Sequence, residues 1–145
     1  MPARWPRSAG DAAALREGPA RIRLVKGEWA AAEGDVADAG AAYVALAQAL
    51  AGRAAPVAVA THDPALARAA LGVLQAAGTP CELELLRGLP RRRMLAVARG
   101  LGVPVRLYVP WGPGWWPYAL NKALERPWLA RRWLADRLDF RRANA

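Results

Sequence analysis

The sequence predicts an α/β fold in which crossover helices connect the strands of a parallel sheet. Four times, a short apolar run rich in β-branched residues is followed by a turn and an Ala- and Leu-rich helical segment. Such alternation is typical of parallel sheets, because a crossover helix returns the chain to the start of the next strand. At 145 residues and 54% hydrophobic, the chain can bury one core, which excludes the disordered and collagen-like classes.

The first strand–helix unit follows a short lead-in of residues 1–20, which carries a helical piece over 11–17. The first strand is predicted over 21–26. Its helix is predicted over 35–51, where apolar residues recur at helical spacing. Asp35 is a suitable N-cap for that helix, because its side chain can accept hydrogen bonds from the first turn.

The second unit has the clearest helix start in the sequence. Its strand is predicted over 57–60, and Asp63 followed by Pro64 matches an N-cap with proline at the first helical position. The helix is predicted to end at about Ala77, because Gly78 follows it. The turn residue His62 is the only histidine of the chain.

The last two units complete the predicted sheet. The third strand is predicted over 81–86, and its helix ends at about Arg99 before a Gly-Leu-Gly stop. The fourth strand is predicted over 103–109, and a turn rich in proline and glycine leads to a helix over 115–125. A basic, tryptophan-containing helix is predicted over 128–140.

Positive charge is concentrated in the C-terminal part of the chain. The formal net charge is +9; residues 1–86 hold 8 basic and 9 acidic residues, whereas residues 87–145 hold 13 and 3. Anionic partners such as phosphate, nucleic acid or acidic lipid therefore suit the C-terminal part. Cys81 is the only cysteine, which excludes an intramolecular disulfide and a cysteine zinc cluster and fits a reducing cytoplasm. We expect no metal site.

Two sheet architectures are compatible with four strand–helix units. Four units are half of an eightfold barrel, and a complete (β/α)8 barrel takes about 200 to 250 residues. A small doubly wound sheet needs only four or five strands. Length alone favours the open sheet. No stretch is apolar for long enough to span a bilayer, so we expect a soluble or peripheral protein in the cytoplasm.

Five segments, in order, resemble signatures of the proline dehydrogenase family. RLVKG at 23–27 resembles RLVKGAY, ATHD at 60–63 resembles ATHD/ATHN, ELELLRG at 82–88 resembles EFQMLYG, RLYVPWG at 106–112 resembles RVYVPYG, and WPYALNKALERP at 116–127 resembles WYPYLMRRLAERP. Each match is short, but their common order and spacing over residues 21–127 make the resemblance specific.

The resemblance implies the second half of a flavin-containing (β/α)8 barrel, with strands five to eight and the final helix. The domains are then the lead-in 1–20, the half barrel 21–127 and a basic C-terminal helix within 128–145. In the family, the first four strands carry an active-site lysine and aspartate. We therefore expect an incomplete barrel that needs a separate N-terminal half-barrel chain or self-association, because open strand edges favour pairing.

The activity implied by the resemblance is oxidation of L-proline, or a related amino or imino acid, in proline catabolism. A hydride passes to FAD, and the electrons then pass to a membrane quinone. Arg23 matches the family arginine beside flavin N5, where it stabilises negative charge on the reduced ring, so Arg23 is the expected catalytic residue. From its position alone, Arg23 is more often a solvent-exposed residue at a strand edge.

The resemblance also implies a cofactor site in the first two turns. Lys26, Gly27 and Glu28 match a loop that binds FAD, although the family has Ala-Tyr where this chain has Glu28-Trp29. A carboxylate beside a pyrophosphate is repulsive unless Glu28 points away. Thr61 and His62 match a second pair that contacts FAD; without the resemblance, His62 is more often a capping or surface residue.

The implied substrate pocket comes from the last two strands and the following helix. Leu86 matches an apolar pocket residue, and Tyr108 and Tyr118 match two tyrosines that shape the proline pocket; each also suits an ordinary core position. Asn121 and Lys122 replace two consecutive arginines that clamp the substrate carboxylate. Because lysine is a point charge and asparagine is neutral, the planar fork of the clamp is lost.

The C-terminal segment 128–145 suggests a membrane partner. Its arginines and tryptophans suit an anionic membrane surface, which a quinone-linked enzyme must reach, and they equally suit a solvated helix over the barrel end. No recognised binding motif supports nucleic acid as a partner. Two other interpretations remain open: a non-catalytic basic α/β module that binds nucleic acid or membrane, and a degenerate remnant.

Overall fold

A computed structural model of the chain describes residues 1–113. Helices and strands alternate along these residues. In chain order they are α1 (Ser8–Leu15), β1 (Ile22–Val25), α2 (Ala39–Ala49), β2 (Val57–Ala60), α3 (Pro64–Ala76), β3 (Cys81–Leu86), α4 (Arg92–Leu101) and β4 (Val105–Tyr108). The predicted α/β fold is confirmed for this part of the chain. The helices predicted over 115–125 and 128–140 lie outside the described residues.

The four strands form one parallel sheet in the order β1-β2-β3-β4. The helices lie side by side, since α2 contacts both α1 and α3, and α3 contacts α4. They therefore form one layer on one face of the sheet. A doubly wound sheet reverses its strand order and carries helices on both faces. Residues 1–113 show neither of these two features.

The hydrophobic core lies between the sheet and the helix layer. Strand side chains alternate between the two faces, and the buried apolar residues of the central strands point to the helices. Burial of this apolar surface is the main stabilising contribution, at about 25 cal/mol per Å². The fully buried members include Leu24, Val57, Val59, Leu83 and Leu85 from the strands and Tyr43, Leu50, Leu71 and Leu74 from the helices and their ends.

Helix α2 begins later than the sequence predicts. Asp38, not Asp35, is the N-cap: its Oδ1 accepts hydrogen bonds from Gly40 N at 2.7 Å and Ala41 N at 3.0 Å. Asp35 instead stabilises the preceding loop by accepting from Ala31 N and from the guanidinium of Arg4. These two contacts lower the pKa of Asp35. The prediction of Asp35 as N-cap was wrong because two aspartates of equal capping ability lie close together.

The lead-in residues extend the sheet beyond β1. Ala3 N donates to Val25 O at 2.8 Å, Val25 N donates to Met1 O at 3.0 Å, and Pro2 forms a parallel bridge with Val25. Helix α1 then starts at Ser8, three residues earlier than the predicted helical piece. Residues 1–15 therefore repeat, in short form, the strand–helix order of the units that follow.

The other two crossover helices follow their sequence signals. Asp63 caps α3 by accepting from Ala65 N and Leu66 N, and Pro64 is the first helical residue, as predicted. Helix α4 continues two residues past the predicted end and stops at Gly102. Gly102 has φ 64°, a left-handed conformation that glycine adopts without the strain of a side chain.

A buried arginine joins the end of α1 to the start of β2. Arg53 is 2% exposed. Its guanidinium donates to the carbonyl oxygens of Leu15, Arg16, Gly18 and Ala20, at 3.3, 3.2, 2.8 and 2.9 Å. These carbonyls belong to the last residue of α1 and to the turn that follows it, so the positive charge lies near the electronegative end of the helix. Arg53 therefore fixes the connection between the lead-in and the sheet.

Candidate functional site

The candidate site lies on the polar face, which we define as the face of the sheet opposite the helix layer. The alternation of strand side chains places on it three arginines, two glutamates, two alanines, one valine, one leucine and one tyrosine. The members are Arg21, which directly precedes β1, and Arg23, Val25, Ala58, Ala60, Glu82, Glu84, Leu86, Arg106 and Tyr108. A parallel sheet buried on both faces is apolar on both, so this charged face has a separate role.

Glu84 is the buried centre of the polar face. The residue is 4% exposed, and its two carboxylate oxygens bind different arginines of the β1 segment. Arg21 Nη2 donates to Oε2 at 2.9 Å, and Arg23 Nε donates to Oε1. Because the donors are charged, these hydrogen bonds are stronger than neutral ones and offset the burial of the carboxylate.

Glu82 forms a second centre on the same strand. Its Oε1 accepts from Arg21 Nε at 2.7 Å, and Arg106 Nε lies 2.9 and 3.0 Å from its two oxygens. Partial burial acts to raise the pKa of Glu82, but the hydrogen bonds from Arg106 and Arg21 outweigh it and lower the pKa. Arginines on both sides of β3 therefore converge on its two carboxylates.

Small side chains on β2 allow β1 and β3 to contact each other. Two strand spacings separate β1 from β3, roughly 10 Å. Ala58 pairs in register with Arg23 on one side and Glu82 on the other, and it is fully buried. Because a methyl group leaves the space above β2 free, the arginine side chains cross over it to reach the glutamates.

Three of the predicted site residues share the polar face. The guanidinium carbon of Arg23 lies 5.0 Å from the centre of the Tyr108 ring, a distance typical of a cation–π contact. Leu86 pairs in register with Tyr108, so their side chains are neighbours. Arg23, Leu86 and Tyr108 come from three different strands, and the sheet brings them to one surface.

His62 links the end of β2 to the end of β3. Its Nε2 accepts a hydrogen bond from Leu86 N at 3.0 Å, and its Nδ1 lies 3.2 Å from Pro90 O. A backbone N–H must donate and a carbonyl must accept, so the ring is neutral with its proton on Nδ1. Burial lowers the pKa of His62, although the contact with Pro90 opposes this shift. His62 thus holds the loop after β3 and uses both nitrogens.

The bonding of His62 predicts a loss of stability in mild acid. Since the pKa is lowered in the folded chain, the unfolded chain takes up the proton first, near the ordinary value of 6.5. The stability from neutral His62 is present above pH 6.5 and is lost as pH falls towards the folded pKa. His62→Gln should unfold about 1 kcal/mol more easily at pH 7.5 and show less of this pH dependence in urea titrations. An unchanged pH dependence in the variant would contradict this assignment.

The loop after β1 is bound to the lead-in by Arg4. Gly27 has φ 97°, and a Cβ at this position would lie 2.8 Å from Cγ of Arg4, so only glycine fits. Arg4 Nη1 donates to Glu28 O at 2.7 Å. The resemblance assigns the close approach at Gly27 to FAD; here the stem of Arg4 occupies it. Lys26 is exposed beside this loop.

Thr61 has a local role in the turn before α3. Its Oγ1 accepts a hydrogen bond from Asp63 N at 3.1 Å, which shapes the turn that places Asp63 as N-cap. Thr61 and His62 are half-buried at the carboxyl end of β2. Tyr118, Asn121 and Lys122 lie outside the described residues.

Four charged members of the polar face were missed as site residues, although the sequence carries a signal for them. Arg21-Ile-Arg23 and Glu82-Leu-Glu84 alternate charged and apolar residues, which places each charge pair on one face of its strand. The other missed residue, Arg106, lies on the same face of the sheet, on β4. The signal is charge complementarity between alternating strands rather than any single residue.

Within residues 1–113, no helix combines the length and apolarity needed to cross a membrane. The same residues contain no group of three His, Cys, Asp or Glu side chains placed to hold a metal ion. The chain was also compared with known proteins. No protein-family model matches it, and no curated protein matches it either.

Proposed function

We propose that this chain is part of a flavoprotein of the proline dehydrogenase type, which oxidises L-proline or a related amino or imino acid with hydride transfer to FAD. The observation that carries the proposal is the contact between Arg23 and Tyr108. These residues are 85 positions apart in separate matching segments, and the resemblance assigns both to one site. Their meeting on the polar face is what such a site requires.

The sheet supports the barrel part of the proposal. Consecutive parallel strands with helices along one face are the repeating unit of a (β/α)8 barrel, in which the other face lines the interior. The polar face then lines the interior, and the loops after β1, β2 and β3 lie at the carboxyl end, where barrels bind ligands. We propose that an N-terminal half-barrel chain or a second copy completes the barrel.

The residues of the polar face suit part of a flavin site. Nε of Arg23 binds Glu84, while its Nη1 and Nη2 have no hydrogen-bond partner in the described part of the chain. They are available to the electron-rich edge of a flavin ring. FAD, when bound, supplies the hydride acceptor. Leu86 and Tyr108 would then form an apolar and aromatic wall beside the ring.

In the loop after β1, Arg4 occupies part of the space that the resemblance assigns to FAD. Arg4 covers Gly27, so a pyrophosphate at this loop has to be bound by the Arg4 guanidinium and Lys26 or has to displace Arg4. Arg4 also binds the carbonyl oxygen of Glu28 and so fixes the backbone of this residue. The carboxylate of Glu28 would repel a phosphate group. Electron transfer to a quinone at the inner membrane face, through the C-terminal segment 128–145, is part of the same proposal.

The test is the visible spectrum of the purified chain with an added N-terminal half-barrel fragment, before and after L-proline. We expect flavin absorbance that bleaches with proline. Arg23→Ala should slow flavin reduction about tenfold or more without unfolding the chain, because it removes the positive charge beside the reduced ring. Arg21→Ala, on the same face and strand segment, is the matched control.

Two results would contradict the proposed function. If no flavin is retained with or without the added fragment, the basic-module or remnant interpretation is preferred. If Arg23→Ala and Arg21→Ala slow reduction equally, Arg23 acts through the general charge of the polar face and not at the flavin.

A further inference from the structure

One arginine of the lead-in fastens the loop after β1 at four points. Through its backbone, Arg4 N donates to Lys26 O at 3.0 Å, and Arg4 O accepts from Val36 N at 2.9 Å. Through its side chain, Nη1 donates to Glu28 O at 2.7 Å and Nη2 donates to Oδ2 of Asp35. The backbone contacts fix the position of Arg4, whereas the side-chain contacts fix only the direction of its guanidinium.

The contact between Arg4 and Asp35 is the one that an anion can replace. Both side chains are 29% exposed. A partly exposed ion pair contributes little to stability, because water and salt screen it. A diphosphate group carries more than one negative charge, and guanidinium groups bind phosphate oxygens strongly. Arg4 can therefore exchange one carboxylate for a diphosphate without leaving its place beside the loop.

The stem of Arg4 lies against the glycine of this loop. A Cβ on Gly27 would lie 2.8 Å from Cγ and 3.0 Å from Cδ of Arg4, so the two residues touch only because position 27 has no side chain. Lys26, the residue before it, is exposed. A group that binds at the backbone of this loop therefore comes within reach of two positive side chains.

We propose that Arg4 binds the diphosphate group of the cofactor and that Asp35 controls its availability. In this structure Asp35 holds Nη2. A bound diphosphate takes over Nη2, while Nη1 keeps its bond to Glu28 O. Asp35 thus lowers the affinity for the cofactor, because it competes for the same donor. The inference rests on the proposed function for the identity of the cofactor, whereas the exchange itself involves only residues of this chain.

The test uses the full-length chain labelled with ¹³C and ¹⁵N and titrated with inorganic pyrophosphate at constant ionic strength. We follow the amide of Gly27 and the Nε–H of Arg4. Asp35→Asn should raise the affinity about tenfold, because asparagine can still accept from Ala31 N but no longer pairs with Arg4. Asp38→Asn is the matched control: it removes the same charge, and asparagine still caps α2, so we expect a change of less than about threefold.

Two further measurements separate exchange from a general effect of charge. Asp35→Asn should have no effect on affinity when Arg4→Gln is also present, because the exchanged donor is then missing. In the unmodified chain, the carboxyl ¹³C resonance of Asp35 should shift along the same titration curve as the Gly27 amide, since binding releases the carboxylate. This readout decides the question even if a variant lowers stability.

The outcomes distinguish this inference from the proposed function. Equal gains in Asp35→Asn and Asp38→Asn would overturn the role of Asp35, and the absence of a saturable shift in Asp35→Asn would overturn diphosphate binding by Arg4. A chain that exchanges Asp35 for pyrophosphate but retains no flavin would support the exchange and contradict the proposed function.

Discussion

Arg53→Met should lower the free energy of unfolding by about 3 kcal/mol. The substitution keeps an unbranched stem of similar length but removes the donors that Leu15, Arg16, Gly18 and Ala20 share. Losing several charged hydrogen bonds at once is among the larger effects of a single substitution. Urea titration monitored by circular dichroism measures the change, provided that unfolding is two-state.

Arg68→Met is the matched control, since Arg68 is exposed on α3 and has the same side chain to lose. The control should change stability by less than about 0.5 kcal/mol. Equal stability of the two variants would mean that water replaces Arg53 at the four carbonyls without loss.

Glu84→Ala should be the second largest change, with a loss of about 2 kcal/mol. Glu84 is 4% exposed, and its removal leaves Arg23 without its ion-pair partner and Arg21 with only Glu82. Breaking a fully buried ion pair costs about 3 to 5 kcal/mol. The expected loss is smaller because both arginines are partly exposed and water solvates them after the substitution.

Glu82→Ala is the comparison for Glu84→Ala. Glu82 binds Arg21 and Arg106 but not Arg23, and its side chain is 13% exposed, so we expect a smaller loss. The distinguishing measurement is the Nε–H resonance of Arg23, which should lose its protection from exchange in Glu84→Ala and keep it in Glu82→Ala. The assignment of Glu84 as the partner of Arg23 fails if both variants behave alike.

The fold was predictable because its signals are local. The repeated pattern of strand and helix predicts the parallel sheet. Asp63-Pro64 marks the start of α3, because aspartate caps a helix and proline suits its first position, and Gly102 marks the end of α4 through its left-handed conformation. Errors occurred where two residues of equal propensity compete, as with Asp35 and Asp38. There the choice depends on Arg4, which lies far away in sequence and binds Asp35 across the loop.

The candidate site was predictable only in part. The resemblance identified Arg23, Leu86 and Tyr108, which the register brings to one face, but pattern alone does not reveal that Glu84 binds Arg23. That contact depends on strand order, because β1 and β3 then meet over β2, above the small side chains of Ala58 and Ala60. The buried position of Arg53 was also hidden, since an arginine in a loop is usually exposed.

The contacts across Ala58 also bear on how the chain folds. The two glutamates, Glu82 and Glu84, lie 61 to 63 positions along the chain from the arginines of the β1 segment that they bind. Each strand–helix unit, by contrast, is formed from residues that are neighbours in sequence. Contacts of long sequence separation form after local ones, because the intervening loop must first be ordered. The ion pairs therefore belong to the last stage of assembly, so their loss in Glu84→Ala should accelerate unfolding while leaving the refolding rate nearly unchanged. The polar face therefore contributes to kinetic stability: its ion pairs form after the sheet and slow the unfolding of the chain.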